Sequence, residues 1–443
     1  MAEEILLQTR LNKDRLNLAK NDHEVAARLD IEPSPAYRNR YNFTACDLCL
    51  VLDGSGSMNE PFSAGSGVTK REGAITAARA VVAQLQPEDT LSLVAYDSSA
   101  YSLAEGLKAA DQNRILGHID ELRRFTGGTN FERALDMART TLKKQRNLSK
   151  RIIFLTDGND NMSDAPKVLQ LISDLSAQNV VIDCLGMGAD FNFHFMRGMS
   201  SPSNGRTFLL SNPDEAAMRF EELLVSGQKV IASRVFLTVL FPAGLRNIEA
   251  YQWLPEMRYY GKLKPASDGA TRLEINVQTL RQDRRNVFFF KFNIDPEPGR
   301  TTRAAAQIRL DYDLPHEKKT NLQDNLNLFV NFSDDPNALE WDSSVDTGFQ
   351  EVELCKLYEQ LESVRKTDWK HAMEIIQIMI LRADSIGDHA RRSEYEGYKQ
   401  KLQKDHHLSD ADMNRVGSSS SQSTSAAEGY LESQMDMDIL NSL

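Results

Sequence analysis

The sequence predicts an α/β chain: a doubly wound, mostly parallel sheet, then an antiparallel β-sandwich and a C-terminal helical segment. Three observations predict it. Between residues 44 and 227, near-continuous apolar runs alternate with segments whose apolar residues recur at helical spacing, the pattern of parallel strands covered by helices on both faces. From 234 to 335 the helical spacing stops and short strand-like runs follow one another between turn residues, at spacings that suit a sandwich. From 346 to 408 the helical spacing returns.

Residues 1–40 are polar, with short alternating stretches such as Val25–Ile31, and are broken by Pro33 and Pro35. They read as two edge strands and a connector. They have no home in the parallel sheet, so they are expected to pair into the sandwich. In the α/β region, Asp47–Leu52, Thr90–Tyr96, Arg151–Thr156, Val180–Leu185 and Thr207–Leu210 read as strands. Lys70–Gln86, Asp111–Arg123, Asn130–Gln145, Asp164–Gln178 and Asn212–Val225 read as helices. In such Rossmann-like open sheets the site lies at the carboxyl ends of the strands.

The sandwich strands are expected at Val235–Phe241, Arg246–Trp253, Arg272–Val277, Val287–Ile294, Ala304–Tyr312 and Leu326–Phe332. Trp253, Trp341, Trp369 and Phe288–Phe290 are expected in the core. The final region predicts three amphipathic helices, with Glu359, Glu362, Lys366, Arg391 and Arg392 on a solvated face. Residues 409–443 contain the Ser-rich run GSSSSQSTSAAEG and then an acidic stretch. Their composition predicts a flexible linker and a disordered tail, the alternative being a short docking motif at the end.

Bulk properties narrow the function. The chain has 443 residues, 41% hydrophobic and 26% charged, ordinary values for a water-soluble protein of two or three domains. Its formal net charge of −11 argues against a nucleic-acid binder, which presents a basic face. No apolar run approaches the ~20 residues that cross a bilayer. The start, MAEEILLQTRLNKDRL, carries acids where a signal peptide is basic, so a cytoplasmic protein is expected. Cys46, Cys49, Cys184 and Cys355 are too few for a disulfide framework. Cys46 and Cys49 stand three apart on a strand, so they point to opposite faces rather than forming half a zinc site.

The chemistry concentrates at the strand ends. The first parallel strand runs into Asp53-Gly54-Ser55-Gly56-Ser57. Glycines permit a tight loop, and one carboxylate and two hydroxyls at alternate positions can converge on a point. Oxygen donors suit a hard cation, Mg²⁺ first, with Mn²⁺ or Ca²⁺ as alternatives, and not zinc. Taken alone, the segment is equally a glycine–serine turn.

Two further segments change that balance. Phe125-Thr126-Gly127-Gly128-Thr129-Asn130 precedes a helix, and Phe154-Leu155-Thr156-Asp157-Gly158 ends a strand. Gly186-Met187-Gly188 follows the next strand. Together these resemble the metal-ion-dependent adhesion site of von Willebrand factor type A (VWA) domains. The resemblance covers residues 44–227. More loosely, it reaches the flanking β segments, which resemble cytosolic bacterial members grouped with the calcium-activated chloride channel-like VWA family. It implies metal residues Asp53, Ser55, Ser57, Thr129 and Asp157. In the family the serines and the threonine touch the ion and the aspartates act mainly through water. Asn59, Glu60, Asn159, Asp160 and Asn161 would rim the site, and Asp97 reads as a loop residue.

The resemblance implies a Mg²⁺-dependent protein-interaction module whose ion takes an Asp or Glu of a partner, in a bacterial signalling or ATPase-associated assembly. MoxR-type AAA⁺ ATPases, or kinase and phosphatase partners, are the implied company. No catalytic residues and no cofactor beyond the ion are expected. The chain has no nucleophile elbow, P-loop or dinucleotide fingerprint, and none of its eight histidines lies in the three loops. A structural or adhesive protein that does not use its metal site is the alternative, and a metal-dependent hydrolase the third reading.

Overall fold

The computed structural model describes residues 4–423, apart from 14, 39, 41, 42, 64, 159, 161, 189, 190 and 336–340. The acidic tail, 424–443, and the rim residues Asn159 and Asn161 lie outside the described residues. Strands β1 (Ile5–Leu11) and β2 (Arg15–Asn17) lead into β3 (His23–Pro33) and a single helical turn, α1 (Pro35–Arg38). The expectation of two edge strands fails for β3. It lies inside a sheet, paired on one side with β1 and on the other with residues 286–294. Its charged residues misled the reading because they are paired internally: Arg28 Nη2 donates to Asp30 Oδ1 at 2.6 Å, with both side chains buried.

The α/β domain follows. Its elements are β4 (Cys46–Asp53), α2 (Lys70–Gln84), β5 (Thr90–Tyr96), β6 (Ala100–Lys108), α3 (Gln112–Asp120), α4 (Phe131–Lys143), β7 (Ser149–Thr156), α5 (Ala165–Ala177), β8 (Val180–Met187), α6 (Phe193–Ser200), β9 (Thr207–Leu210) and α7 (Pro213–Gln228). Strand order is β6-β5-β4-β7-β8-β9, all parallel except β6. The sequence reading missed the edge strand β6, whose AYSLAEGLK has no β-branched residue to signal it. Helices α2, α3 and α7 pack on one face, and α4, α5 and α6 on the other. Cys46 belongs to the first core and Cys49 to the second, as two-residue alternation requires. From β4 the chain builds outward to β5 and β6, then crosses to β7, β8 and β9. The strand order therefore reverses beside β4, which opens a crevice at the carboxyl ends of β4 and β7.

The sandwich comprises β10 (Val230–Phe241), β11 (Arg246–Leu254), β12 (Arg258–Lys262), β13 (Thr271–Arg281), β14 (Asn286–Ile294), β15 (Thr302–Leu314) and β16 (Lys319–Ser333). One sheet runs β1-β3-β14-β11-β12, the other β13-β10-β15-β16-β2. Phe288 and Phe290 fill the space between the sheets, while Phe289 faces outward into a separate cluster with Phe349. A sheet covered on both faces explains the unbroken aromatic run.

Four helices follow among the described residues: α8 (Ser343–Val364), α9 (Trp369–Ser385), α10 (His389–Asp405) and α11 (Asp410–Ser421). Three expectations are corrected here. Residues 410–421 are helix, not flexible linker. Ser409 and Asp412 form a capping box at its start, and the small Gly417 lets the rings of Phe193 and Tyr358 approach closely. Serine runs favour flexibility in water, but here their small size permits close packing. Trp341 is 56% exposed, with the Lys13 ammonium 5.2 Å from its ring centroid, and is not core. Arg391 is buried and donates to Glu351 Oε1 at 3.0 Å, rather than lying on a solvated face.

Candidate metal centre

β4 ends at Asp53, and the backbone turns sharply away from the sheet. Gly54 N donates to Tyr96 O at 2.7 Å. A Cβ at Gly54 would stand 2.5 Å from Phe125 Cβ, so only glycine fits. Ser55 N donates back to Asp53 Oδ1 at 2.8 Å, which fixes the loop over its own carboxylate. Gly56 N then donates to Gly127 O at 3.1 Å, joining the first loop to the second. The third loop arrives with β7: Ser57 Oγ donates to Asp157 Oδ1 at 2.8 Å, and Ser55 Oγ lies 3.1 Å from Ser57 Oγ.

Four of the five expected residues thus meet through direct hydrogen bonds along one path. Thr129, the fifth, is buried in the adjoining second loop. Asp97 does not reach the cluster; its Oδ2 accepts from Gly127 N at 3.3 Å and its Oδ1 from Ser99 N at 2.9 Å. It holds the second loop in place, together with Ser98, whose Oγ accepts from Gly128 N at 2.7 Å.

Four side chains that the motif did not single out complete the centre. Thr156 Oγ1 donates to Asp53 Oδ2 at 2.7 Å, and Tyr96 OH donates to the same oxygen at 3.3 Å. Asp53 is buried, and burial pushes its carboxyl up to about 6 despite these hydrogen bonds. Lys70 Nζ lies 2.8 Å from Asp157 Oδ2 and 2.9 Å from Glu60 Oε2. Burial opposes its charge, but Asp157 and Glu60 hold the ammonium above its ordinary range. Arg71 Nη2 donates to the carbonyls of Gly54, Ser55 and Phe125 at 3.2, 3.1 and 2.7 Å, and its Nη1 to Asn59 Oδ1 at 2.8 Å. One guanidinium therefore pins two loops. The sequence did carry a signal for this pair. Two cations at the start of a helix sit at the positive end of its dipole, and are stable there only with nearby acceptors.

The donor set fits a hard divalent ion. Neighbouring oxygens in an octahedral Mg²⁺ shell are about 2.9 Å apart, close to the Ser55–Ser57 hydroxyl separation of 3.1 Å. Among the described residues no group of three or more His, Cys, Asp or Glu side chains is arranged to hold a metal. The candidate centre is instead hydroxyl-rich, with two carboxylates. Lys70 already partly compensates Asp157, so an arriving ion meets less negative charge than two free aspartates would offer.

Residues 48–159 match the von Willebrand factor type A domain family. An uncharacterized protein of Synechocystis sp. is 27% identical over 282 residues, covering 62% of this chain and 63% of that protein. Inter-alpha-trypsin inhibitor heavy chain H2 of Homo sapiens is 24% identical over 171 residues, 36% of this chain and 17% of that one. The chain thus spans less than two thirds of either relative. A solved von Willebrand factor type A structure from Catenulispora acidiphila shares the fold at a TM-score of 0.73 and 15% identity, over 94% of this chain and 97% of that one. The ArnB paralog VWA2 from Sulfolobus acidocaldarius follows at 0.57 and 16%, over 95% and 98%. No helix among the described residues is long and apolar enough to cross a membrane. The chain carries a VWA domain, a common protein-interaction module, built into a fold shared along nearly its whole length with bacterial and archaeal VWA proteins.

Proposed function

We propose that this protein is a cytoplasmic, Mg²⁺-dependent interaction scaffold whose metal centre takes a Glu or Asp side chain of a partner protein. One observation carries the reading. At the crevice where strand order reverses, Ser55 Oγ lies 3.1 Å from Ser57 Oγ, which in turn donates to Asp157 Oδ1 at 2.8 Å. Ser55, Ser57 and Thr129 would hold the ion, with Asp53 and Asp157 orienting them. A bound Mg²⁺ supplies an open position for an anionic oxygen. Neutral hydroxyl ligands leave its charge under-compensated, which favours a carboxylate from outside. The Lys70 ammonium, paired to Asp157, adds to that preference at short range.

The reading is non-enzymatic. Ser57 donates to a carboxylate whose other oxygen is held by Lys70, an arrangement that orients the hydroxyl rather than activating it. The sandwich and the C-terminal helices form the platform, and a bacterial signalling or ATPase-associated assembly is the setting.

The test is capture from native lysate on the tagged full chain, in Mg²⁺ or in EDTA, alongside Asp53→Ala. Calorimetric titration with Mg²⁺ is run in parallel. A defined protein retained only by the wild type with Mg²⁺, with metal binding lost in the variant, is the expected result. Retention indifferent to both EDTA and the substitution would mean that the metal is not the bridge.

A further inference from the structure

A second site lies at the other end of β7. Arg151 stands six residues before Asp157, about 20 Å along the strand. It lines a cavity of about 40 Å³ where the α/β sheet meets the sandwich. Among the described residues, five arginines line this cavity, Arg151, Arg206, Arg281, Arg284 and Arg285, against one carboxylate, Asp183. In a chain of net charge −11 this is a local reversal of sign.

The carboxylates nearby are shared rather than matched. Asp183 is paired to Arg151, and its Oδ1 also accepts the backbone N–H of Arg206 at 2.8 Å. Glu222 meets Arg206 at 2.6 Å, Arg219 at 2.8 Å and Arg284 at 3.7 Å. Burial acts to raise its carboxyl, yet Arg206 and Arg219 hold it down to about 2. Glu32 serves both Arg285 and Arg38, and Asp283 serves both Arg281 and Lys229. Arginines lining the cavity outnumber its lining carboxylates. Burial, with Arg284 and Arg206 nearby, pushes Arg281 down to about 10.

Hydrogen-bond donors are left over. Arg206 Nη2 and Arg151 Nε are buried without a partner, on residues only 8% and 6% exposed. An unpaired buried donor on a charged group is costly unless an acceptor arrives. Guanidinium forks match the oxygens of phosphate in spacing and charge. The cavity exceeds the ~10–15 Å³ that a single water needs.

We propose that this cavity binds a phosphate-class oxyanion, as inorganic phosphate or as the phosphoryl group of a small phosphorylated molecule, held by Arg206 and Arg284. A second cavity of about 280 Å³ shares Arg206, Arg284 and Pro255 with the first and adds Phe208 and Arg219. It gives room for the organic part of a phosphorylated ligand; the first cavity alone suffices for the free ion. Arg206 precedes β9 of the α/β domain and Arg284 lies between β13 and β14 of the sandwich. The anion therefore ties the two units together, and its binding stabilises their junction.

Calorimetric titration of the full chain with sodium phosphate, at ionic strength held constant with chloride, tests this. Saturable binding is expected, with a rise in melting temperature of about 3 °C at a hundredfold excess of phosphate over Kd. Arg206→Gln and Arg284→Gln are each expected to weaken binding by about tenfold or more, with unchanged circular dichroism. Arg284 is 28% exposed, so its variant carries the test if Arg206→Gln does not fold. Glycerol phosphate and AMP serve as competing probes. Competition assigns a phosphorylated small molecule, and its absence assigns the free ion. Absence of saturable phosphate binding, wild-type affinity in the variants, or a melting shift that chloride alone reproduces overturns the proposal.

Discussion

Lys70 Nζ stands 2.8 Å from Asp157 Oδ2, with side chains 6% and 1% exposed. The lysine that opens α2 is thus ion-paired to the last residue of the metal motif. Removing one partner of a buried pair leaves the other charge uncompensated, at a cost of about 3 kcal/mol. Lys70→Met should therefore lower stability by roughly that amount in EDTA. Mg²⁺ should restore more stability to this variant than it adds to the wild type, because the ion replaces the missing charge. Urea unfolding with and without Mg²⁺ measures both, and equal Mg²⁺ effects in the two proteins would reject the coupling.

Asp53 gives a pH dependence of definite sign. It keeps its proton to about pH 6 in the fold, against 3.8 ordinarily. Between those values the folded chain binds more protons than the unfolded chain, so stability falls as pH rises through the window. The total loss is about 3 kcal/mol, complete above pH 6 and absent below 3.8. In EDTA, Asp53→Asn should remove this slope from unfolding free energies measured between those limits. An unchanged slope would show that burial of Asp53 is not its source.

Gly54 and Gly158 separate steric need from mere loop position. At Gly54 a Cβ meets Phe125 Cβ at 2.5 Å and Tyr96 O at 3.2 Å, whereas at Gly158 nothing lies within 4 Å. Gly54→Ala should cost about 2 kcal/mol and weaken Mg²⁺ binding by separating the first and second loops. Gly158→Ala should stay within about 0.5 kcal/mol of the wild type. Thermal melts and Mg²⁺ titrations of the pair would contradict this if both variants behaved alike.

Helix α11 is held by its small residues. A Cβ at Gly417 would lie 2.7 Å from Phe193 and 2.8 Å from Tyr358, and Asn414 Oδ1 accepts from Phe193 N at 3.1 Å. Gly417→Val should undock the helix at a cost of about 2 kcal/mol. Amide exchange across 410–421 should quicken while β4 and β7 stay protected. Unchanged exchange in α11 would mean that the ring contacts do not hold it.

Local pattern determined the class of this fold. The apolar run Leu48–Leu52, helical spacing in the segments that follow, and glycines between Asp53, Ser55 and Ser57 are properties of adjacent residues. They can be read without knowing what lies across the sheet. The same holds for the opposite facing of Cys46 and Cys49, which follows from backbone geometry alone. Tertiary structure decided whatever depends on a distant partner. The polar β3 is interior because Arg28 finds Asp30 and Glu32 finds Arg38 and Arg285. The serine-rich α11 is ordered because Gly417 can approach two rings. Lys70 belongs to the centre because β7 delivers Asp157, 87 residues later, within hydrogen-bond reach. Composition reports the average cost of burying such residues in water; only the fold supplies the particular acceptor or ring that offsets it.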